Sequence, residues 1–323
     1  MKFLYIIILY INKMSKSSQT IMINITTENY IPGTNKYRFN FSQPLDFRGK
    51  KAKLMMHQYT LYNSTFNISS SLGNNTYSVI WPSYTKSGVV YPSKQYDFII
   101  PDGYYSFSDL NTNLQYNMAS NYLYLQNSNN SSQVLYFISF SSNIILYKSE
   151  IDINYIPNIM PSGYTLPSNM PSSVLDIQHW ELPTDNTYPK LILSSGLQKL
   201  FGFTTQGRTF PISQTIQNKT NGTPKNLSFL SDIRPILSPT FSYLLTCNFI
   251  DSKVSNIPTL FFQIPLSASY GKLISATTTN PIGISINPTV FNHLEIGVLD
   301  NNYNAIILND EELVISLLIE IEE

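Results

Sequence analysis

Cysteine is almost absent from this 323-residue chain. The only one, Cys247, lies in the apolar run TCNF. That excludes an internal disulfide framework and a cysteine-rich zinc site, and the residue reads as a small buried hydrophobe. Charge is scarce too: Asp, Glu, Lys and Arg make up 12% of the residues, about half the usual share. Acidic and basic residues balance at 20 each, which argues against nucleic acid as the main partner and favours self-association. The basic turn of Arg48, Lys50, Lys51 and Lys53 reads as local. Long hydrophobic runs are missing as well. Phe3–Ile11 is apolar, but a bilayer span needs roughly 17–25 residues, and Asn12-Lys13-Met14 supplies no small-residue cleavage site.

Catalytic patterns are equally thin. The three histidines, His57, His179 and His293, are far apart and have no ligand spacing. The serine-rich runs contain no G-x-S-x-G elbow, and the glycines form no phosphate loop. Carboxylates gather at Asp310-Glu311-Glu312 and at Glu320, Glu322 and Glu323. These read as a turn cap and a solvated terminus, not as an acid/base pair. The expectation is a protein that is not an enzyme and carries no cofactor or metal.

Asn, Ser, Thr and Tyr take the place of charge, with 23 tyrosines, and apolar alternation supplies the fold signal. Ile21, Ile23 and Ile25 alternate with polar or small residues, as do Tyr37, Phe39 and Phe41. Leu54–Asn75 begins as a strand, with Leu54, Met56 and Gln58 on one side and Met55, His57 and Tyr59 on the other. It then becomes a polar loop ending in Gly73-Asn74-Asn75. Thr76–Trp81, Tyr96–Ile100, Val134–Phe140 and Ile144–Tyr147 (a hairpin around Ser141-Ser142-Asn143), Phe241–Ile250, Leu260–Ile264, Phe291–Leu299 and Glu312–Ile321 follow as further strands. In the last, Val314 and Leu318 lie between the alternating apolar residues, which predicts cover on both faces.

Tyr104–Ser120 is the one strong helix, capped through Ser106 and Asp109, with Phe107, Leu110, Leu114 and Met118 on one face. Residues 154–189 hold six prolines and, with 204–224, read as irregular excursions. Alternating strands without a βα rhythm predict an all-β sandwich, a single jelly roll of about eight core strands. The expected organisation is a leader or N-terminal arm over 1–19, with a start at Met14 or a membrane-directed segment as alternatives, and one domain over 20–323.

Five segments also resemble a known family. YNSTFNISSSLGNN within Leu54–Asn75, IPDGYYSFSDL at Ile100–Leu110 and LQKLFGF at Leu197–Phe203 come first. Ser242–Asn256 and the closing strands of Phe291–Ile321 complete the series. In this order they resemble the penton proteins, minor capsid proteins of virophages and polinton-like viruses. Thr65 departs from the pattern, which often has an aromatic or Pro there. The resemblance implies a jelly roll whose five copies close the fivefold vertex of an icosahedral capsid, beside a double jelly-roll major capsid protein and other minor vertex proteins. It implies a virion location, with assembly inside the infected host cell.

The loops 63–75, 154–189 and 204–224 are expected at the ends of the sandwich. Tyr62, Phe66, Asn67, Asn74, Asn75, Trp180 and Tyr188 are the expected assembly contacts, because aromatic residues are enriched at interfaces. The alternative reading is a secreted or membrane-tethered jelly-roll module that binds a glycan or receptor.

Overall fold

A computed structural model describes residues 18–322 except 206, 213–218, 221–222, 239, 252–256 and 311. The leader Phe3–Ile11 and the Met14 start lie outside the described residues. The chain divides into two compact units. One is formed by the segments ending at Thr65 and beginning at Thr240, the other by Phe66–Pro239.

Eight main strands build the first unit, β1 (Ser18–Ile25), β2 (Lys36–Asp46), β3 (Lys51–Tyr62), β4 (Ser242–Cys247), β5 (Leu260–Pro265), β6 (Leu273–Thr277), β7 (Val290–Leu299) and β8 (Leu313–Glu322), and a two-residue strand, Ile284–Ser285, also pairs with β3. One sheet runs β1-β8-β3-β6 and the other β5-β4-β7-β2. Every neighbouring pair is antiparallel. Strands adjacent in sequence mostly switch sheets, and the last strand lies between the first and third. This is the jelly-roll order.

The alternation seen in the sequence supplies the core. Ile23, Ile25, Leu54, Met56, Leu61, Ile315, Leu317 and Ile319 come from one sheet; Tyr37, Tyr243, Leu245, Cys247, Leu294, Ile296 and Val298 come from the other. Each such aliphatic side chain contributes about 1.5–3 kcal/mol on burial. Phe47, Phe249 and Phe291 close the packing with ring centroids 4.3–6.0 Å apart.

The pairing of β3 with β8 slips between Ser316 and Leu317: Leu317 faces Met56, whereas Ser316 faces Gln58. His57 is the extra residue of this bulge. The bulge turns the strand by one position, so Tyr59 and Leu61 are buried along with Leu54 and Met56. Simple alternation puts Tyr59 on the opposite side from Leu54, and the bulge corrects it.

Between β3 and β4 the chain leaves the sandwich and builds the second unit. Here a four-stranded sheet takes the order Thr209–Phe210, Lys190–Leu193, Thr76–Trp81, Lys94–Ile99. A three-stranded sheet takes the order Ile138–Asn143, Lys148–Ile153, Leu227–Leu230. Helix α1 (Phe107–Ser120) is capped as the sequence predicts. The Ser106 hydroxyl accepts from the Asp109 N–H, and the Asp109 carboxylate accepts from the Ser106 N–H. Its buried face is Phe107, Leu110, Leu114 and Met118. Helix α2 (Ser195–Phe201) stops at Gly202, whose φ of 81° is the left-handed conformation favouring glycine.

The expectation of one domain over 20–323 with irregular excursions differs from this division. Residues 154–189 were expected to lack a core of their own. Instead Ile156, Trp180 and Tyr188 join Trp81, Phe137, Phe201, Phe203 and Phe210 in the core of the second unit. The prolines prevent long strands here but not burial. The loops 63–75, 154–189 and 204–224 therefore belong chiefly to the second unit. Of the last, residues 206, 213–218 and 221–222 lie outside the described residues.

Candidate assembly surfaces

The polar loop after β3 is built around two buried asparagines. The Asn67 side-chain oxygen accepts from the Tyr105 N–H at 2.8 Å. Its amide nitrogen donates to the carbonyls of Tyr105 at 2.8 Å and Leu237 at 2.9 Å. Asn74 accepts from the Ser69 N–H at 2.8 Å and donates to the Asn67 carbonyl at 2.7 Å. Three chain segments are thereby held by amide groups with few or no unused bonds. Gly196 of α2 lies so close that an added Cβ would stand 2.6 Å from the Gly73 carbonyl oxygen.

Trp180 is fully buried. Its ring meets Trp81 edge-on at 5.1 Å, and its indole N–H donates to the Tyr122 carbonyl at 2.7 Å. Tyr188 is buried too, its hydroxyl donating to the Lys225 carbonyl at 2.5 Å. These two side chains, like Asn67 and Asn74, are used inside their own unit. All four are buried, although Tyr188 keeps 9% of its surface and Asn74 5%, so little of them is left for the contacts that the sequence suggests. Tyr62, Phe66 and Asn75 are half-buried and keep some surface. Asn75 lies near Asp102, and its carbonyl accepts from the Ile100 N–H at 2.7 Å.

The histidines belong to three different segments of the chain. His57 sits in the β3 bulge of one sheet and pairs with neither β2 nor β7, whereas His293 lies on β7 of the other, opposite Asn40. His179 belongs to the second unit, where its Nδ1 is 2.7 Å from the Pro171 carbonyl oxygen and its Nε2 3.4 Å from Glu181. Among the described residues no group of three or more His, Cys, Asp or Glu is placed to hold a metal ion. Burial pushes the Cys247 thiol up to about 12, far from thiolate reactivity.

The sandwich offers two unlike flanks. At one end of the strand orders lie β1 and β2, at the other β6 and β5. Beside the first flank, Glu295 accepts from Lys36 at 2.7 Å and Arg38 at 2.6 Å. Burial alone would raise the Glu295 carboxyl, but the two basic partners hold it below the usual range. Charged edges of this kind discourage unplanned strand pairing.

Sequence reasoning missed the outward face of the first sheet. Met22 on β1 stands opposite Leu318 on β8, and Leu318 stands opposite Met55 on β3. Met22 is 45% exposed and Val314 on the same face 41% exposed, while Leu318 and Met55 are half-buried. The apolar residues at alternate positions of β8 were expected to be covered from both sides. Among the described residues Met22 and Val314 remain exposed on that outer side, and a row of apolar side chains crosses three strands.

In the second unit, Asp152 shares a sheet face with Glu150, two residues away, and stands opposite Ser139 and Ser228. Burial raises its carboxyl above the ordinary value and the Glu150 charge adds to this, while hydrogen bonds with Ser228 and Ser139 oppose it. An acid raised in the folded state holds its proton more tightly when folded. Its favourable contribution is complete below the unfolded value and is lost as pH rises through the folded one. Asp152→Asn is therefore expected to raise the melting temperature at pH 7, with the gain shrinking toward pH 3; thermal melts across that range check it.

No protein-family model matches the chain, and no curated protein sequence does. Among solved structures it is similar to the mavirus penton protein, at 14% identity and a TM-score of 0.41, over 94% of this chain and 99% of that one. It is also similar to a chain of the Sputnik virophage, at 11% identity and a TM-score of 0.35, over 94% and 98%.

Proposed function

We propose that the chain is a structural capsid protein whose copies assemble into a pentamer closing the fivefold vertex of an icosahedral virion. The observation that carries the reading is the strand order β1-β8-β3-β6 over β5-β4-β7-β2, an architecture used by viral capsid, lectin and cupin domains. Fold alone does not choose among these. The five ordered segments that resemble penton proteins favour the capsid, and among the described residues no His, Cys, Asp or Glu group is placed as a cupin-like metal cluster.

A ring needs heterologous contacts, in which one patch meets a different patch on the next copy and the rotation closes. The two unlike flanks of the sandwich satisfy that requirement. The partly exposed row Met22–Leu318–Met55 then packs against the neighbouring copy in the ring. Major capsid proteins and other vertex proteins are the further partners in this reading, and assembly takes place in the infected host cell.

Met22→Glu combined with Leu318→Glu tests the contact. Each apolar group removed from an interface forfeits about 1.5–3 kcal/mol, so association should weaken at least about tenfold. Met22→Glu alone, at the exposed position, should leave the melting temperature of the unassembled protein nearly unchanged while still weakening association. Unchanged assembly would remove this face from the ring.

A further inference from the structure

The strand pair Ile138–Asn143 and Lys148–Ile153 is closed by Ile144-Ile145-Leu146-Tyr147. These four side chains are 81%, 94%, 53% and 73% exposed. Turns normally recruit Gly, Asn, Asp or Ser, so an all-apolar turn gains nothing in the isolated molecule. Tyr147 also has a φ of 56°, a left-handed conformation that costs a non-glycine residue roughly 1–2 kcal/mol. The chain keeps an aromatic side chain there instead of the glycine that would relax it.

We propose that this hairpin tip inserts into the interfacial region of a lipid bilayer. The tip's four side chains project from a two-strand turn of only four residues, whereas a standard protein interface draws on roughly 20–30 residues a side. Its side chains offer no directional hydrogen-bonding group apart from the Tyr147 hydroxyl, whereas protein pockets normally orient their occupant through placed polar groups. A bilayer asks for what is present. Aliphatic side chains enter the acyl boundary, an aromatic ring with a polar end stays at headgroup level, and a basic flank meets anionic lipid. Ile144, Ile145 and Leu146 supply the first, Tyr147 the second and Lys148 the third. Backbone entering lipid must also satisfy its own polar groups. The Leu146 N–H is already donated to the Asn143 side chain at 3.1 Å, and Asn143 pairs with Lys148 across the base.

The inference does not depend on the capsid reading. The test is co-sedimentation of the full chain with vesicles of phosphatidylcholine alone and with added phosphatidylserine. Binding is expected, and it should be stronger with the anionic lipid. Ile144→Ser with Ile145→Ser should weaken it at least about tenfold without lowering the melting temperature, since both positions are exposed in a turn. Lys148→Gln should remove only the preference for anionic lipid. Absence of vesicle binding by the unaltered protein, or binding untouched by the double substitution, overturns the proposal. A changed oligomeric state in the double variant, with vesicle binding retained, also overturns it and assigns the tip to a protein partner.

Discussion

Asn67→Ala is expected to lower the melting temperature of the protein by roughly 6–12 °C. The substitution leaves the Tyr105 N–H and the carbonyls of Tyr105 and Leu237 without their partner. A buried group left unpaired costs about 1–3 kcal/mol, so three of them amount to about 3 kcal/mol or more. For a unit of this size each kcal/mol moves the midpoint by about 2–4 °C. Asn67→Asp is the sharper control. Its carboxylate can still accept from the Tyr105 N–H but has no donor for the two carbonyls, so it should be no more stable than the alanine variant. A melt unchanged by either substitution would mean that Asn67 does not hold these segments together.

Trp180→Ala should have a comparable or larger effect, about 3–5 kcal/mol. The indole fills the core of its unit, stacks edge-on with Trp81 and satisfies the Tyr122 carbonyl. This variant separates two roles for the same residue. If Trp180 is a core residue, denaturant unfolding shifts strongly toward lower concentration. If it were an assembly anchor, unfolding of the single chain would be unaffected and only association would suffer. The burial of its whole side chain favours the first outcome.

Much of the fold is legible in the sequence because local rules govern it. The period-two alternation of Ile21, Ile23 and Ile25 and of Leu313 to Ile321 marks β1 and β8, and the Ser106–Asp109 cap marks the start of α1 within a residue or two. The NI and NN pairs around Asn67 and Asn74 are also visible, as part of a motif that resembles penton proteins. Their role is less visible. A polar residue in a polar loop reads as a contact, and only the long-range placement of Tyr105 and Leu237 shows that Asn67 is spent internally.

The division into two units was hidden for a similar reason. No linker, charge run or compositional break marks Phe66 or Pro239, so the strands of the second unit read as further strands of one sandwich. Which core a strand joins depends on partners far away in sequence. The prolines of 154–189 pointed away from ladders, correctly, but they carry no information about burial, and Trp180 illustrates the difference. The bulge at His57 likewise follows from the register with β8, which β3 alone does not encode. The partly exposed row of Met22, Leu318 and Val314 is a different kind of case. The sequence shows that β8 is apolar on both sides, and among the described residues Met22 and Val314 stay exposed on the second side.

The account rests on assembly, and native mass spectrometry of the purified full chain measures it most directly. The prediction is a species at five times the 36.8 kDa chain mass, lost when Met22 and Leu318 are both replaced by glutamate. A protein that stays monomeric at every concentration, or forms only dimers, would contradict it.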